Sequence, residues 1–413
     1  MCWLPCARRR RRGRRPEPCG AAGNRLAVAI AQQEFTGIAL SHSPIQPHLL
    51  IVIHSLAGGG AERVAADLSA YWLRQGYKVS VATQEGPESD AYPLAQGVER
   101  HVLGMAGASQ GGLGGIWANV RRVWRLRRLI RRVRPTIVLG MMTTSSILAV
   151  IAARGHACRV VATEHTHPPS QNLSGAWERL RRWAYPQAQM VVALTAGTAQ
   201  WLEQHVPGTR LAIIPNAVRW PLARVEPIVE PPPRRGRFRL LAVGRLHPQK
   251  GFDVLISAFA LVARYFPDWD LVILGEGELR EPLQAQIDAA GVADRVMLAG
   301  RVGNVGDWYV QSDLYVLSSE VEGLSNTLLE AMASGLPSVA FDCDTGPREI
   351  VRNGIDGVLV RPVSDHEALA AHLSDMMAHP EKRDAYARRA VDVRDRFSTA
   401  RVMALWGHVF EGR

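Results

Sequence analysis

Beyond residue 47 the chain alternates two kinds of hydrophobic pattern. Short runs of Val, Ile and Leu, apolar at nearly every position, are followed by longer stretches in which apolar residues return every three or four positions. The runs suit buried strands and the longer stretches suit helices that cover them, which predicts an α/β fold built on parallel sheets. In the first half, strands are expected over 49–53, 77–83, 136–140, 160–163, 189–194 and 211–214, with a helix over 61–75. Residues 225–237 (VEPIVEPPPRRGR) hold four prolines and little that could build a core, which marks an interdomain linker. The pattern then restarts, with strands over 238–243, 271–274, 296–298, 314–317, 338–341 and 357–360. Helices are expected near 252–266, 278–290, 326–334 and 366–378. Each half reads as a Rossmann-like βαβ sandwich, whose ligands bind beyond the carboxyl ends of the strands. Two such halves facing each other make a cleft.

Charge alters this picture only at one end. Of the net charge of +11, residues 1–47 contribute +6, from eight arginines against Glu17 and Glu34. This leader has no periodicity and is expected to be disordered. Its best apolar run, 26–31, is shorter than the core of a signal peptide. It reads either as an arm that binds nucleic acid or as the product of a start codon upstream of the true one. Cys2, Cys6 and Cys19 fall in the leader and only Cys158 and Cys343 in the body, without zinc-type spacing, a usage that suits a reducing cytoplasm. No apolar segment approaches the ~20 residues of a membrane-spanning helix, so any membrane contact is expected to be peripheral.

Two loops of the second half carry the chemistry. Gly244-Arg245-Leu246-His247-Pro248-Gln249-Lys250-Gly251 follows a strand directly. A strand that ends in glycine lets a ligand approach the backbone, and Arg245 and Lys250 place two cations where a departing diphosphate would be stabilised. The segment 322–337 begins in a loop, enters a helix near Ser325 or Asn326 and stops sharply at Gly335-Leu336-Pro337. The free N–H groups and dipole at that helix start suit the same anion. Glu330, one turn in, could accept hydrogen bonds from vicinal hydroxyls, and Glu322 could do so for a second polar group.

Taken in order and spacing, GRLHPQKGFD, LGEGELR, LAGRVGN, EGLSNTLLEAMASGLPSVAFD and GPREIV resemble the family-4 retaining glycosyltransferases of the GT-B fold, over about residues 48–410. The resemblance implies an acceptor-binding domain over 48–224, the linker 225–237, a nucleotide-sugar domain over 238–395, and a last helix, within 396–413, that returns to the first domain. It implies that Arg245 and Lys250 hold the donor diphosphate, that Glu330 binds the ribose hydroxyls and that Glu322 lies near the transferred sugar. It extends the donor site to Gly323, Leu324, Ser325 and Asn326, and to Arg301 in the loop whose backbone meets the base. The string around 346–350 is most similar to bacterial polysaccharide and lipid-linked oligosaccharide transferases that use UDP-hexoses or UDP-N-acetylhexosamines. No cofactor and no metal are implied, and the nucleotide sugar is a substrate.

In the first half, Gly58, Gly59 and Gly60 precede a helix whose N-terminus is expected to face the cleft, and the resemblance implies that this loop lies near donor phosphate and acceptor. After the strand at 160–163, the resemblance implies a histidine that touches the donor sugar, with His165 rather than His167 expected in that place. Pro215-Asn216-Ala217-Val218 resembles the family's hinge, with Ala217 in place of the usual glycine. Residues 116–134 carry eight arginines in their last fourteen positions, interleaved with Val120, Val123, Trp124, Leu129 and Ile130. This basic amphipathic helix suits either an anionic membrane surface or an ordinary solvated face. Trp177, Arg179, Arg181, Arg182, Trp183 and Tyr185 repeat the mixture. The expected location is cytoplasmic, peripheral on the inner face of the membrane, with a saccharide or lipid-linked acceptor and no nucleic acid as partner. Competing readings are a metal-dependent transferase using Asp342-Cys343-Asp344 or Asp268-Trp269-Asp270, a nucleotide-sugar epimerase on the same fold, and an Arg-rich nucleic-acid binder.

Overall fold

Seven parallel strands form the first sheet: β1 (His48–Ile53), β2 (Lys78–Thr83), β3 (Glu99–Val102), β4 (Ile137–Gly140), β5 (Arg159–Glu164), β6 (Met190–Ala193) and β7 (Leu211–Ile213). The order across it is β3-β2-β1-β4-β5-β6-β7. This is a computed structural model that describes residues 46–104 and 113–412, so all but the end of the Arg-rich leader, with its three cysteines, lies outside it. All six residues of β1 are buried, as expected for a central strand covered on both faces. The covering helices are α1 (Gly60–Arg74), α2 (Leu113–Val133), α3 (Thr143–Ala153), α4 (Gly175–Ala184) and α5 (Ala196–His205).

The second sheet contains β8 (Phe238–Val243), β9 (Trp269–Leu274), β10 (Val296–Gly300), β11 (Leu314–Leu317), β12 (Ser338–Phe341) and β13 (Gly357–Val360), in the order β10-β9-β8-β11-β12-β13. Around it lie α6 (Phe252–Ala263), α7 (Arg280–Ala289), α8 (Asn326–Ala333), α9 (His366–Ala378) and α10 (Pro380–Ala390). The last helix, α11 (Thr399–Glu411), packs Val402, Met403, Trp406 and Phe410 into the core of the first sheet, beside Trp72 of α1.

Each sheet has one point where neighbouring strands continue in opposite directions along the sequence, between β1 and β4 and between β8 and β11. Crevices open at such points. The glycine loop follows β1, the Arg245/Lys250 loop follows β8, and the Glu322 loop follows β11. The topology therefore brings together three segments that the sequence keeps far apart.

Two local departures have physical causes. Strand β3 (Glu99-Arg100-His101-Val102) was not anticipated, because an edge strand of polar residues has no apolar signature; its pairing with β2 alone defines it. Around α4, Arg181 and Tyr185 are fully buried instead of repeating an exposed basic-aromatic face. They close over the Glu164 carboxylate, which accepts hydrogen bonds from Thr143 Oγ1 (2.7 Å), Gln171 Nε2 (3.1 Å) and Tyr185 Oη. Burial nevertheless raises the Glu164 carboxyl above its ordinary range.

Candidate active site

The crevices of the two sheets meet in one cleft of about 750 Å³, a volume ordinary for a small-molecule site. Every residue expected at the donor site lines it: Gly58, Gly59, Gly60, His165, Arg245, Lys250, Arg301, Glu322, Gly323, Leu324, Ser325, Asn326 and Glu330. They do not all present a side chain. Leu324 is buried in the core of the second sheet, so the cleft receives its backbone. The Ser325 hydroxyl caps α8 by accepting from the Leu328 N–H. Such a cap leaves the other first-turn N–H groups for a ligand.

Two of the cations are balanced within the cleft and two are not. Lys250 Nζ donates to Glu322 Oε1 at 2.6 Å, and Ser319 Oγ donates to the same oxygen at 2.7 Å. The two loops of the second sheet are further joined by Ser318 Oγ to the Lys250 carbonyl (2.8 Å) and by Gln249 Nε2 to the Val321 carbonyl (3.2 Å). Arg245 and Arg301 are exposed on the cleft wall, with no carboxylate partner among the described residues. A surface with uncompensated cations beside a helix N-terminus attracts concentrated negative charge.

The first sheet contributes His165 and Arg63. Both His165 ring nitrogens are buried with no hydrogen-bond partner among the described residues, and burial depresses the imidazole to about 4. The ring is therefore neutral at physiological pH and can both donate and accept a hydrogen bond. His167 instead packs away from the cleft against Thr198, Nδ1 to Oγ1 3.3 Å. Arg63, in the first turn of α1, directly follows the glycine loop and is a residue that the sequence reading leaves without a role. Its Nη1 donates to Glu330 Oε1 across the interdomain seam. Burial opposes the Arg63 charge, but Glu330 and Asp67 more than offset it, so the guanidinium is held above its ordinary range. The Glu330 carboxylate is thus not free, as the resemblance alone suggests, but already oriented from the other domain. The buried Tyr309 hydroxyl lies 3.4 Å from the second Glu330 oxygen and 3.2 Å from the Thr327 carbonyl, two acceptors that share one proton.

Further contacts join the domains at the same place. Asn216, in the hinge-like motif, donates through Nδ2 to Asn326 Oδ1 at 3.0 Å, and Glu349 Oε1 accepts from the Ala196 N–H at 3.1 Å. Gly323 lies against the His165 carbonyl so closely that an added Cβ would sit 2.0 Å from its oxygen. Asp342, the candidate metal ligand, is instead paired with Arg348 (2.9 Å) and Arg361 (2.7 Å).

On the outer face of the first sheet, α2 packs Leu126, Leu129 and Ile130 into the core, whereas Trp117 and Trp124 are 71% and 57% exposed. Arg125 and Arg127 donate to backbone carbonyls, and Arg128 lies over the Trp124 ring. No helix among the described residues is long and apolar enough to cross a membrane.

Two parallel α/β sheets with a cleft between them define a GT-B glycosyltransferase architecture. The chain belongs to the glycosyltransferases of this kind: residues 58–219 match Glycosyltransferase Family 4, and residues 228–392 match Glycosyl transferases group 1. Similar proteins include the amylovoran biosynthesis glycosyltransferase AmsD of Erwinia amylovora, 26% identical over 83% of this chain and 93% of that protein. A Campylobacter jejuni transferase named for adding N-acetylgalactosamine to a diphospho-undecaprenol-linked saccharide is 27% identical over 82% and 93%. An exopolysaccharide phosphotransferase of Streptomyces coelicolor is 33% identical over 69% of this chain, which spans only 29% of that longer protein. Among solved structures, Anabaena HepE in complex with UDP and glucose superposes with a TM-score of 0.70 at 20% identity, covering 89% of this chain and 99% of HepE. The protein is thus a glycosyltransferase of polysaccharide or glycolipid biosynthesis.

Proposed function

We propose that this glycosyltransferase moves a hexose or N-acetylhexosamine, with retention of configuration, from a UDP-sugar to a saccharide or lipid-linked saccharide in cell-envelope glycan synthesis. The observation that carries the reading is the convergence in one cleft of Arg245, Lys250 with Glu322, the N-terminus of α8, and Glu330. The cations and the helix end take the charge that develops on the departing diphosphate, and Glu330 takes the nucleoside hydroxyls. His165, which lines the same cleft, is the group this reading assigns to the sugar that is transferred. The UDP and glucose bound by HepE, and the lipid-linked acceptor in the Campylobacter enzyme's name, support the choice of substrates.

With fixed cations in that role, the reaction needs no divalent ion. An NMR time course with an α-linked UDP-sugar should give an α-linked product, and the rate should persist in excess EDTA. A β-linked product refutes retention, and complete loss of rate in EDTA refutes the metal-free reading.

The same reading puts the enzyme in the cytoplasm, peripherally on the inner membrane face, where a lipid-linked acceptor is presented. Exposed Trp117 and Trp124 among the α2 arginines support this. Each cation near an anionic surface adds about 1 kcal/mol, and aromatic side chains anchor at the headgroups. Phosphatidylglycerol liposomes should sediment a chain starting near residue 45, less so as salt rises, whereas neutral liposomes should not. Replacing Arg125, Arg128 and Arg132 with Glu should abolish sedimentation and leave hydrolysis of the UDP-sugar intact. A chain that ignores anionic vesicles would favour a soluble acceptor.

A further inference from the structure

Glu330 is the carboxylate at the floor of the donor cleft, on the first turns of α8 in the second domain. Its Oε1 is taken by Arg63, which belongs to the first domain and lies 267 positions earlier in the chain. Side-chain exposure is 12% for Arg63 and 5% for Glu330, so this is a pair withdrawn from water rather than a loose surface contact. Of the two acids on α1, Glu62 and Asp67, neither is paired with Arg63, and Asp67 is engaged by Arg219 (Nε to Oδ2 2.8 Å). The pairing of Arg63 with Glu330 is therefore specific. It also has company: Gly60 lies against the Asn326 amide, and Asn216 is hydrogen-bonded to Asn326 at 3.0 Å. Three residues of the first domain, two of them on α1, thus converge on the opening turns of one helix of the second.

A carboxylate has about four lone-pair sites, so a guanidinium on Oε1 leaves capacity for a diol while it fixes the plane of the group. If the domains part, the cation leaves with the first domain, and the Glu330 carboxylate keeps only the long Tyr309 contact. A carboxylate in that condition is free to turn and binds a diol less well.

We propose that Arg63 is a positioning residue for the donor nucleoside: by pairing with Glu330 across the seam, it holds that carboxylate to receive the sugar diol and makes nucleoside affinity depend on the two domains being together. The proposal rests on the reading of Glu330 as the group that binds the nucleoside.

A double-mutant cycle on the full chain tests it, with UDP and 2′,3′-dideoxy-UDP as calorimetric probes, so that the ratio of their affinities reports the diol alone. Arg63→Gln should reduce the preference for UDP by about tenfold, the scale of coupling between contacting residues. In an E330Q background the same change should have little further effect. Arg63→Lys, which keeps the charge but not the planar fork, should retain most of the preference, and Arg63→Met supplies the uncharged comparison should Arg63→Gln fold poorly. If E330Q abolishes the preference while Arg63→Gln and Arg63→Lys both leave it at the parent value, Arg63 is merely structural and the proposal is overturned. If E330Q itself leaves the preference intact, the nucleoside reading of Glu330 falls, and the proposal with it.

Discussion

Replacing Lys250 or Arg245 with alanine should lower kcat/KM for the nucleotide sugar by roughly 100-fold or more, the scale of losing a charge partner in the transition state. The two variants should not be equivalent. Arg245 is exposed on the cleft wall and is paired with no carboxylate among the described residues, so its loss removes a cation and little else. Lys250 is bonded to Glu322, itself nearly buried, so its loss also strips that carboxylate of its counter-ion. Leaving a charge unpaired adds a cost beyond the missing interaction. Lys250→Ala should therefore be the more damaging change. Steady-state kinetics on both variants, at saturating acceptor, decide the matter. Activity within a few-fold of the parent for both would remove these residues from the donor clamp.

A comparable loss is expected from a single methyl group at Gly323. Its added Cβ would lie 2.0 Å from the His165 carbonyl oxygen and 3.0 Å from the carbonyl carbon. Both are main-chain atoms, so no side chain can swing aside. Relief requires the two loops to shift by roughly 1 Å, and a displacement of that size in a catalytic constellation can cost about 100-fold. The hydrophobic clusters of the two sheets do not include this position, so Gly323→Ala should still unfold cooperatively. Thermal unfolding followed by circular dichroism, together with kcat/KM, separates the two effects. A folded variant of parental activity would mean that the closed seam is not needed for turnover.

Much of the scaffold was legible in the residue pattern, for a definite reason. Strands such as β1, β8 and β11 are buried on both faces, and burial on both faces demands unbroken apolar runs that can be recognised locally. The interruption at 225–237 was legible because proline-rich sequence cannot continue either pattern. Strand β3 was not, since an edge strand answers to its neighbour and not to its own composition. The polar helix α10 escaped for a related reason: Arg383 and Ala390 are its buried residues, too sparse a stripe to be read.

The candidate site divides along the same line. Glycines, cations and carboxylates of single loops were legible, because close backbone approach and anion binding impose residue types at short spacing. Ser325 could be read as a helix start from its own neighbours, since capping is a contact over three residues. What the residues could not disclose is which groups meet across the seam. The pairing of Arg63 with Glu330, the bond between Asn216 and Asn326, and the contact of Gly323 with His165 each join segments more than 100 positions apart. Local sequence determined two α/β halves and the anion-binding loops on each, because propensity, periodicity and turn chemistry act over a few residues. Only the tertiary structure decided that Glu330 is held by an arginine of the other half and that the His165 ring is kept neutral by burial, because ion pairing and desolvation depend on distances in space.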